Sequence, residues 1–466
     1  MFSMDDELVR VPPFRTRSRG HRWAVRERMA SMISAEQTVV VRGGTVIDGT
    51  GADPRLGLTV IAREGRIDWI GPDADAPEVT GPHHEVDAAG GTILPGFIDT
   101  HVHMTMSGDG MNPADLVDQP PHYGYFTAIP RLRATLDAGV TSVRDLAGLD
   151  QAVMRAVDEG IVAGPRIVTA YRALGPTGGH GDFRTCCGFD YGTVLGPDGA
   201  VSINTDGPAE ALRATREVMR KGAGVIKVMA SGGVWSPQDT PWHDGLNIEE
   251  MSVIVREAAA HDVPVAAHAQ SARSIRNALA AGVTSIEHGY EIDGPGIESM
   301  LDGGAYLVPT LSTATTPPDP TRSAAYAVAK KLKLQEHLSE NITTAVRAGV
   351  RVAMGTDSGI CPHGRNLREL ALLVEHGLTP MGALLAGTRD AAALLGLADE
   401  IGTLETGKRA DIVVCAGDPL ADITLPGDPD NITVVIKDGV VHKDTARRTP
   451  ANRPRPLPVT HSEVTP

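Results

Sequence analysis

Eight short apolar runs, separated by stretches of helical periodicity, occupy the middle of this chain and limit its fold more than any other feature. The runs are Thr92–Ile98, Ser142–Arg144, Ile167–Ala170, Val225–Met229, Pro264–Ala267, Ser285–Ile286, Ala305–Val308 and Val352–Met354. Helices are expected between them, among others over Pro208–Arg220, Ile248–Ala260, Ala272–Ala281 and Ile342–Ala348. Strands that alternate with helices build a parallel sheet, either closed into a barrel or doubly wound. Ala138-Gly-Val-Thr, Ala281-Gly-Val-Thr and Ala348-Gly-Val-Arg repeat one local signal. Each places glycine just past a helix, where the chain turns through a left-handed conformation before the next strand. Both ends carry another texture. Thr38–Arg42, Gly44–Asp48, Leu58–Ala62 and Arg66–Ile70 read as short strands, as do Asp411–Cys415, Ile432–Asp438 and Val440–His442. The expectation is one small β domain built from both ends around an α/β unit.

The chemistry-bearing residues sit where the apolar runs end. The first run leads into Pro95-Gly-Phe-Ile-Asp-Thr-His101-Val-His103. Histidines at i and i+2 on a strand share a face, so both imidazoles can reach one ion. The fourth run carries Lys227, costly to bury as an ammonium. It has to pair, shift its pKa or be chemically changed. The fifth run ends at His268, the sixth at His288 and the eighth at Asp357. In a closed parallel barrel the C-terminal strand ends meet at one mouth, where active sites lie. Core packing, an ion pair or a helix cap accounts for any one of these residues, but not for their joint placement at successive strand ends.

The remaining composition excludes several roles. A formal net charge of −15 opposes binding to nucleic acid. No apolar stretch approaches the roughly 18 residues needed to span a bilayer. Met1–Leu8 carries Asp5, Asp6 and Glu7 rather than a basic secretory leader, and Cys186 and Cys187 are adjacent among only four cysteines. Reduced thiols and a cytoplasmic protein are expected. Residues 1–35 form a basic arm, with Arg10, Arg15 and Arg17 among its cations, and a Pro-rich tail follows position 446. The resulting divisions are 1–35, a β part over 36–90, a barrel over 91–400, a second β part over 401–445 and a tail over 446–466.

His101-Val-His103, Lys227, His268, His288 and Asp357 together resemble the pattern of the amidohydrolase superfamily, and Leu94-Pro-Gly-Phe-Ile-Asp-Thr-His-Val-His is similar to its first-strand signature. The resemblance covers roughly 38–443. Ile226-Lys-Val-Met-Ala-Ser-Gly-Gly, Thr177-Gly-Gly-His180-Gly-Asp and Gly355-Thr-Asp-Ser-Gly are similar to the branch of imidazolonepropionase-like enzymes, Xaa-Pro dipeptidases, N-acyl amino acid carboxypeptidases, ochratoxinase and phenylurea hydrolases. It implies a distorted (β/α)8 TIM barrel with a small β-sandwich domain built from both chain ends. It also implies two divalent metal ions: His101, His103 and Asp357 on one, His268 and His288 on the other, and an ε-carboxylated Lys227 bridging. Zinc suits these donors first, with manganese, cobalt and iron as alternatives.

The resemblance implies a hydrolase of C–N bonds outside ordinary protein peptide bonds, with Asp357, Lys227 and His288 at its catalytic centre. Asp357 would take a proton from the attacking water and deliver it to the leaving nitrogen. His180, Tyr171, Tyr290 and Trp235 are the candidate substrate contacts, with Arg172, Trp242 and Met106 behind them. His363, Asn366 and Glu369 are expected to orient Asp357. Cys361 has no base placed for a nucleophilic role. Three small-molecule substrate classes stay open. The first is a dipeptide or N-acyl amino acid, held by a cationic clamp near His180 and Arg184. The others are a neutral urea or carbamate and a cyclic amide or imide. A homo-oligomer is expected, with neither nucleic acid nor membrane as partner.

Overall fold

The computed structural model describes residues 38–108, 120, 122–182, 201–321 and 323–445. The basic arm, the Pro-rich tail, Arg184, Cys186 and Cys187 lie outside the described residues. The central strands run parallel in two sheets. A three-stranded sheet is ordered Phe97–Val102, Val140–Asp145, Arg166–Thr169. A six-stranded sheet is ordered Ser202–Asn204, Ala173–Gly175, Ile226–Met229, Val265–Ala269, Ser285–His288, Tyr306–Val308. Helices Tyr123–Asp137, Gln151–Asp158, Pro208–Arg220, Ile248–Ala259, Ala272–Ala281 and Gly294–Gly303 connect central strands, as parallel neighbours require, whereas Arg166–Thr169 passes to Ala173–Gly175 without one. Local chemistry starts these helices on cue. Asn247 and Glu250 form a capping box at Ile248–Ala259, as do Ser271 and Ser274 at Ala272–Ala281. The repeated glycines end helices as expected, with φ of +94° at Gly139 and +91° at Gly282 and Gly349.

The central sheets do not close into one continuous ladder. The Gly224 amide donates to the Thr169 carbonyl across one gap. Across the other, the eighth run makes single bridges, Val352 to Leu307 and Ser358 to Val102. It forms no regular strand, and three residues past its end Asp357 adopts a left-handed φ of +59°. Backbone hydrogen bonds still hold it on both sides, from the Thr100 amide to the Met354 carbonyl and from the Asp357 amide to the His101 carbonyl. Asp99 reinforces this seam, accepting from the amides of His101 and Thr356, the Thr356 hydroxyl and the Asn366 amide group.

The first apolar run divides in two. Thr92–Pro95 joins a five-stranded sheet with Thr45–Val46, Ile412–Cys415, Ile432–Lys437 and Val440–Asp444, whereas only Phe97–Val102 enters the central layer. The break is at Gly96, where a Cβ would overlap the Thr141 side chain. A four-stranded sheet, Arg66–Pro72, Leu58–Arg63, Thr38–Arg42, His83–Asp87, completes the terminal elements. Val39, Val60 and Ile67 from that sheet share one buried cluster with Ile93, Ile412 and Val434 from the five-stranded one. Strands from both ends of the described chain thus contribute to one buried cluster. Ala325–Arg347 is a 23-residue helix, far longer than the segment expected there.

Candidate metal centre

The parallel register places the site. Lys227 pairs with Ala266, Met229 with His268, and His268 with Glu287. Paired residues in a parallel sheet share a face, so Lys227, Met229, His268 and Glu287 turn the same way. Simple alternation would aim His288 to the other face. Its φ of +72° breaks the alternation, and its imidazole lines the same pocket as Lys227 and His268. A left-handed conformation at a non-glycine residue is costly, and here it brings an imidazole into the pocket. Asp357 reaches the pocket by the same device.

His101 and His103 direct their Nε2 atoms at one oxygen of Asp357, Oδ1, at 3.6 and 3.4 Å. The ligand atoms of these three residues lie within 4.8 Å of one another. Each histidine is oriented through its other nitrogen. His101 Nδ1 lies 2.8 Å from Glu287 Oε2, and His103 Nδ1 lies 3.3 Å from the Ala147 carbonyl. Glu287 is itself fixed by Arg144 at 2.7 Å and by the Ser285 hydroxyl. His288 Nδ1 meets the Thr310 hydroxyl at 2.8 Å, which Tyr290 also contacts at 2.8 Å. His268 differs, because its Nε2 faces the Gly232 carbonyl at 3.1 Å. The His268 and His288 rings are 4.6 Å apart.

Burial pushes these imidazoles below their ordinary pKa, with neighbouring positive groups adding to the effect; His103 goes down to about 3. Neutral imidazole is the ligand form. Lys227 is 1% exposed. Its charge acts on His101, His103, His180, His268, His288 and Asp357, so it stands at the centre of the group. Burial lowers the Lys227 pKa, while the Glu287 and Asp357 charges oppose that shift. Burial raises Asp357, against the pull of Lys227 and Lys331. Neutral imidazoles clustered around a carboxylate, each histidine of the first pair tethered from behind, fit a divalent cation. His268 and His288 supply two donors of their own, so a second cation beside them needs a third.

The other candidates divide. His180 lines the pocket, stacks on His268 at 4.4 Å and meets the Ser236 hydroxyl at 2.8 Å. Gly233 makes room for it, since a Cβ there would overlap the His180 ring. Tyr290, Trp235 and Met106 also line the pocket. Tyr171, Arg172 and Trp242 are not among the lining residues. Tyr171 is buried beside Arg172 and Lys221, and Trp242 donates to Glu291 at 2.6 Å. The expected supports of Asp357 serve other groups. Asn366 donates to Asp99, Glu369 accepts from the amides of Leu311 and Ser312, and His363 meets the Met106 carbonyl. Their nearness to Asp357 in sequence is lost as the chain turns at Gly359, whose φ is +117°. Burial pushes the Cys361 thiol up to about 12, which suits no nucleophile. Three residues went unrecognised in the sequence: Glu287, Gln270 and Lys331. Gln270 lines the pocket with its Oε1 buried and without a hydrogen-bond partner.

The amidohydrolase family model matches residues 92–441. The chain belongs to the amidohydrolase family. The ochratoxinase of Aspergillus niger is 33% identical over 439 residues, which cover 89% of this chain and 88% of that enzyme. The imidazolonepropionase of Sphingopyxis alaskensis is 27% identical over 418 residues, covering 79% of this chain and 90% of its own. A solved prolidase complexed with N-methylphosphonate-L-proline matches with a TM-score of 0.81 at 33% identity, over 88% of this chain and 100% of that one. This amidohydrolase therefore has a (β/α)8 barrel-type fold and is a hydrolase acting on C–N bonds. Its family generally uses divalent metal ions. Among the described residues, no helix is long and apolar enough to cross a membrane.

Proposed function

We propose that this amidohydrolase cleaves the amide C–N bond of a small carboxylate-bearing substrate, of dipeptide or N-acyl amino acid type. The reading rests on His101, His103 and Asp357, which present ligand atoms within 4.8 Å of one another in a pocket also lined by Lys227, His268 and His288. His101, His103 and Asp357 would hold one divalent cation, and His268 and His288 a second, with an ε-carboxylated Lys227 as the shared ligand. Carboxylation would convert a costly buried ammonium into an anionic oxygen donor. The chemistry supplied by divalent cations at such a site is Lewis acidity, which yields a hydroxide nucleophile near neutral pH and polarises a carbonyl. Asp357 accepts the proton of the attacking water and returns it to the leaving nitrogen, without which an amine departs poorly. Glu287 keeps His101 in the tautomer that bears its lone pair on Nε2. His180 and Tyr290 hydrogen-bond the substrate, and Trp235 walls it from solvent.

Zinc, two-ion occupancy, a cytoplasmic location and a homo-oligomer complete the proposal. The similarity to a prolidase and an ochratoxinase supports the substrate type. The apolar wall formed by Met106, Val234, Trp235 and Ile360 favours a second reading, a neutral urea or carbamate. Amine release separates the two across N-acyl amino acids, Xaa-Pro dipeptides, aryl ureas and aryl carbamates. Turnover of the carboxylate-bearing amides supports the first reading. Turnover confined to the neutral compounds refutes it.

A further inference from the structure

One cation enters the pocket from a helix and not from a strand. Lys331, Leu334, Gln335 and Leu338 of Ala325–Arg347 all line it. These are positions i, i+3, i+4 and i+7, a single helical face. Lys331 is 9% exposed, and no hydrogen bond or ion pair holds its ammonium among the described residues. The adjacent Lys330 behaves differently, donating to the carbonyls of Gly233, Ser236 and Asp239. Lys330 braces the helix, whereas Lys331 is left facing the cavity. Burial lowers the Lys331 pKa and the Asp357 charge opposes that shift, so the ammonium lies within electrostatic reach of the proposed reacting carboxylate.

The helix holds this cation in a fixed place. The Tyr326 hydroxyl donates to the Trp235 carbonyl at 2.9 Å, Gln335 to the Ala314 carbonyl at 2.6 Å and Asn341 to the Tyr290 carbonyl at 3.0 Å. The last contact is two residues from His288. A buried ammonium without a counter-ion is costly, and a ligand anion relieves that cost. We propose that Lys331 anchors the free carboxylate of the substrate and sets the preference for N-acyl amino acids and dipeptides over neutral amides. The proposal rests on the amide-hydrolase reading above and assigns to Lys331 the clamp that the sequence suggested near Arg184.

The test is a matched pair, an N-acyl amino acid and its carboxamide, turned over by the native enzyme, Lys331→Met and Lys331→Arg. The native enzyme should prefer the acid. Lys331→Met should lose about 10–100-fold more kcat/KM on the acid than on the carboxamide, mainly through KM. Lys331→Arg should retain most of the preference. Equilibrium binding of the product amino acid should weaken by a similar factor in Lys331→Met. Equal losses on both compounds, or an undiminished preference for the acid in Lys331→Met, overturn the assignment. If Lys331→Met fails to fold, inhibition of the native enzyme by the free amino acid and by its carboxamide decides, and equal inhibition overturns it. A native enzyme that cleaves neutral carbamates and neither member of the pair rejects the substrate reading itself, before any variant is compared.

Discussion

An ammonium enclosed by strand residues needs compensating charge, and the residues around Lys227 supply it from two directions. Asp357 acts from the pocket side, while Glu287 acts from beneath, shared with Arg144 and His101. Glu287 is fully buried, and each of its oxygens has a partner. Its charge is thus the support on which the His101 orientation depends. Glu287→Gln keeps the shape and removes the charge. Metal affinity should fall by about 10–100-fold, read by competition with a coloured chelator. Unchanged affinity would show that His101 needs no such support. The six residues proposed as ligands stood out in the sequence because Lys227 interrupts an apolar run and the others lie at or just past the end of one, where a polar side chain has no packing reason to be. Glu287 sits in the same motif as His288, but strand alternation allows only one of two neighbours into the site. The positive φ at His288 admits both, and nothing in the sequence announces it. Lys331 lies in Lys330-Lys-Leu-Lys333, a run indistinguishable from a solvated helix face until the fold covers it.

At the scale of elements, the parallel strands and their helices followed the apolar spacing, and caps and glycines marked their ends. Others did not: Ala173–Gly175 and Ser202–Asn204 join the central sheet from outside the eight runs, and the first run divides between two sheets. The eighth run is held between its neighbours by hydrogen bonds and single bridges, and the chain turns through a left-handed φ at Asp357 just beyond it. Helix Ala325–Arg347 starts without a side-chain cap and carries polar residues around much of its surface, which hid its length. The edge strand Val440–Asp444 yields a pH prediction. Burial, followed by the Lys437 and Arg133 charges, pushes the His442 pKa from 6.5 down to about 4. A depressed value favours the neutral ring in the folded state. Its contribution to stability is therefore complete above pH 6.5 and is lost as pH falls towards about 4. His442→Gln should flatten this part of the stability profile by about 1–3 kcal/mol, measured by urea unfolding across that window. Parallel profiles for variant and native protein would show that His442 does not titrate with unfolding.

Across the whole molecule, the terminal sheets and the central layer are mechanically joined. Thr92–Pro95 runs through Gly96 into the strand that bears His101, and Arg166 pairs with Asp411 at 2.7 Å and Asp438 at 2.6 Å. Matching strand texture at the two ends hinted at their shared packing, whereas these ionic ties connect residues far apart in sequence and left no local signal. The arrangement gives the ligand-bearing strand a rigid base, on which a pre-organised site depends. The central claim is that catalysis at this site requires divalent cations held by the His101, His103, Asp357 group and its neighbours. The decisive measurement is amine release from an N-acyl amino acid by protein stripped with a chelator and titrated with zinc, alongside the bound metal per chain. The account predicts that activity vanishes on stripping and returns as binding approaches two ions per chain. Full activity in the stripped protein, or zinc binding that restores none of it, would contradict the account.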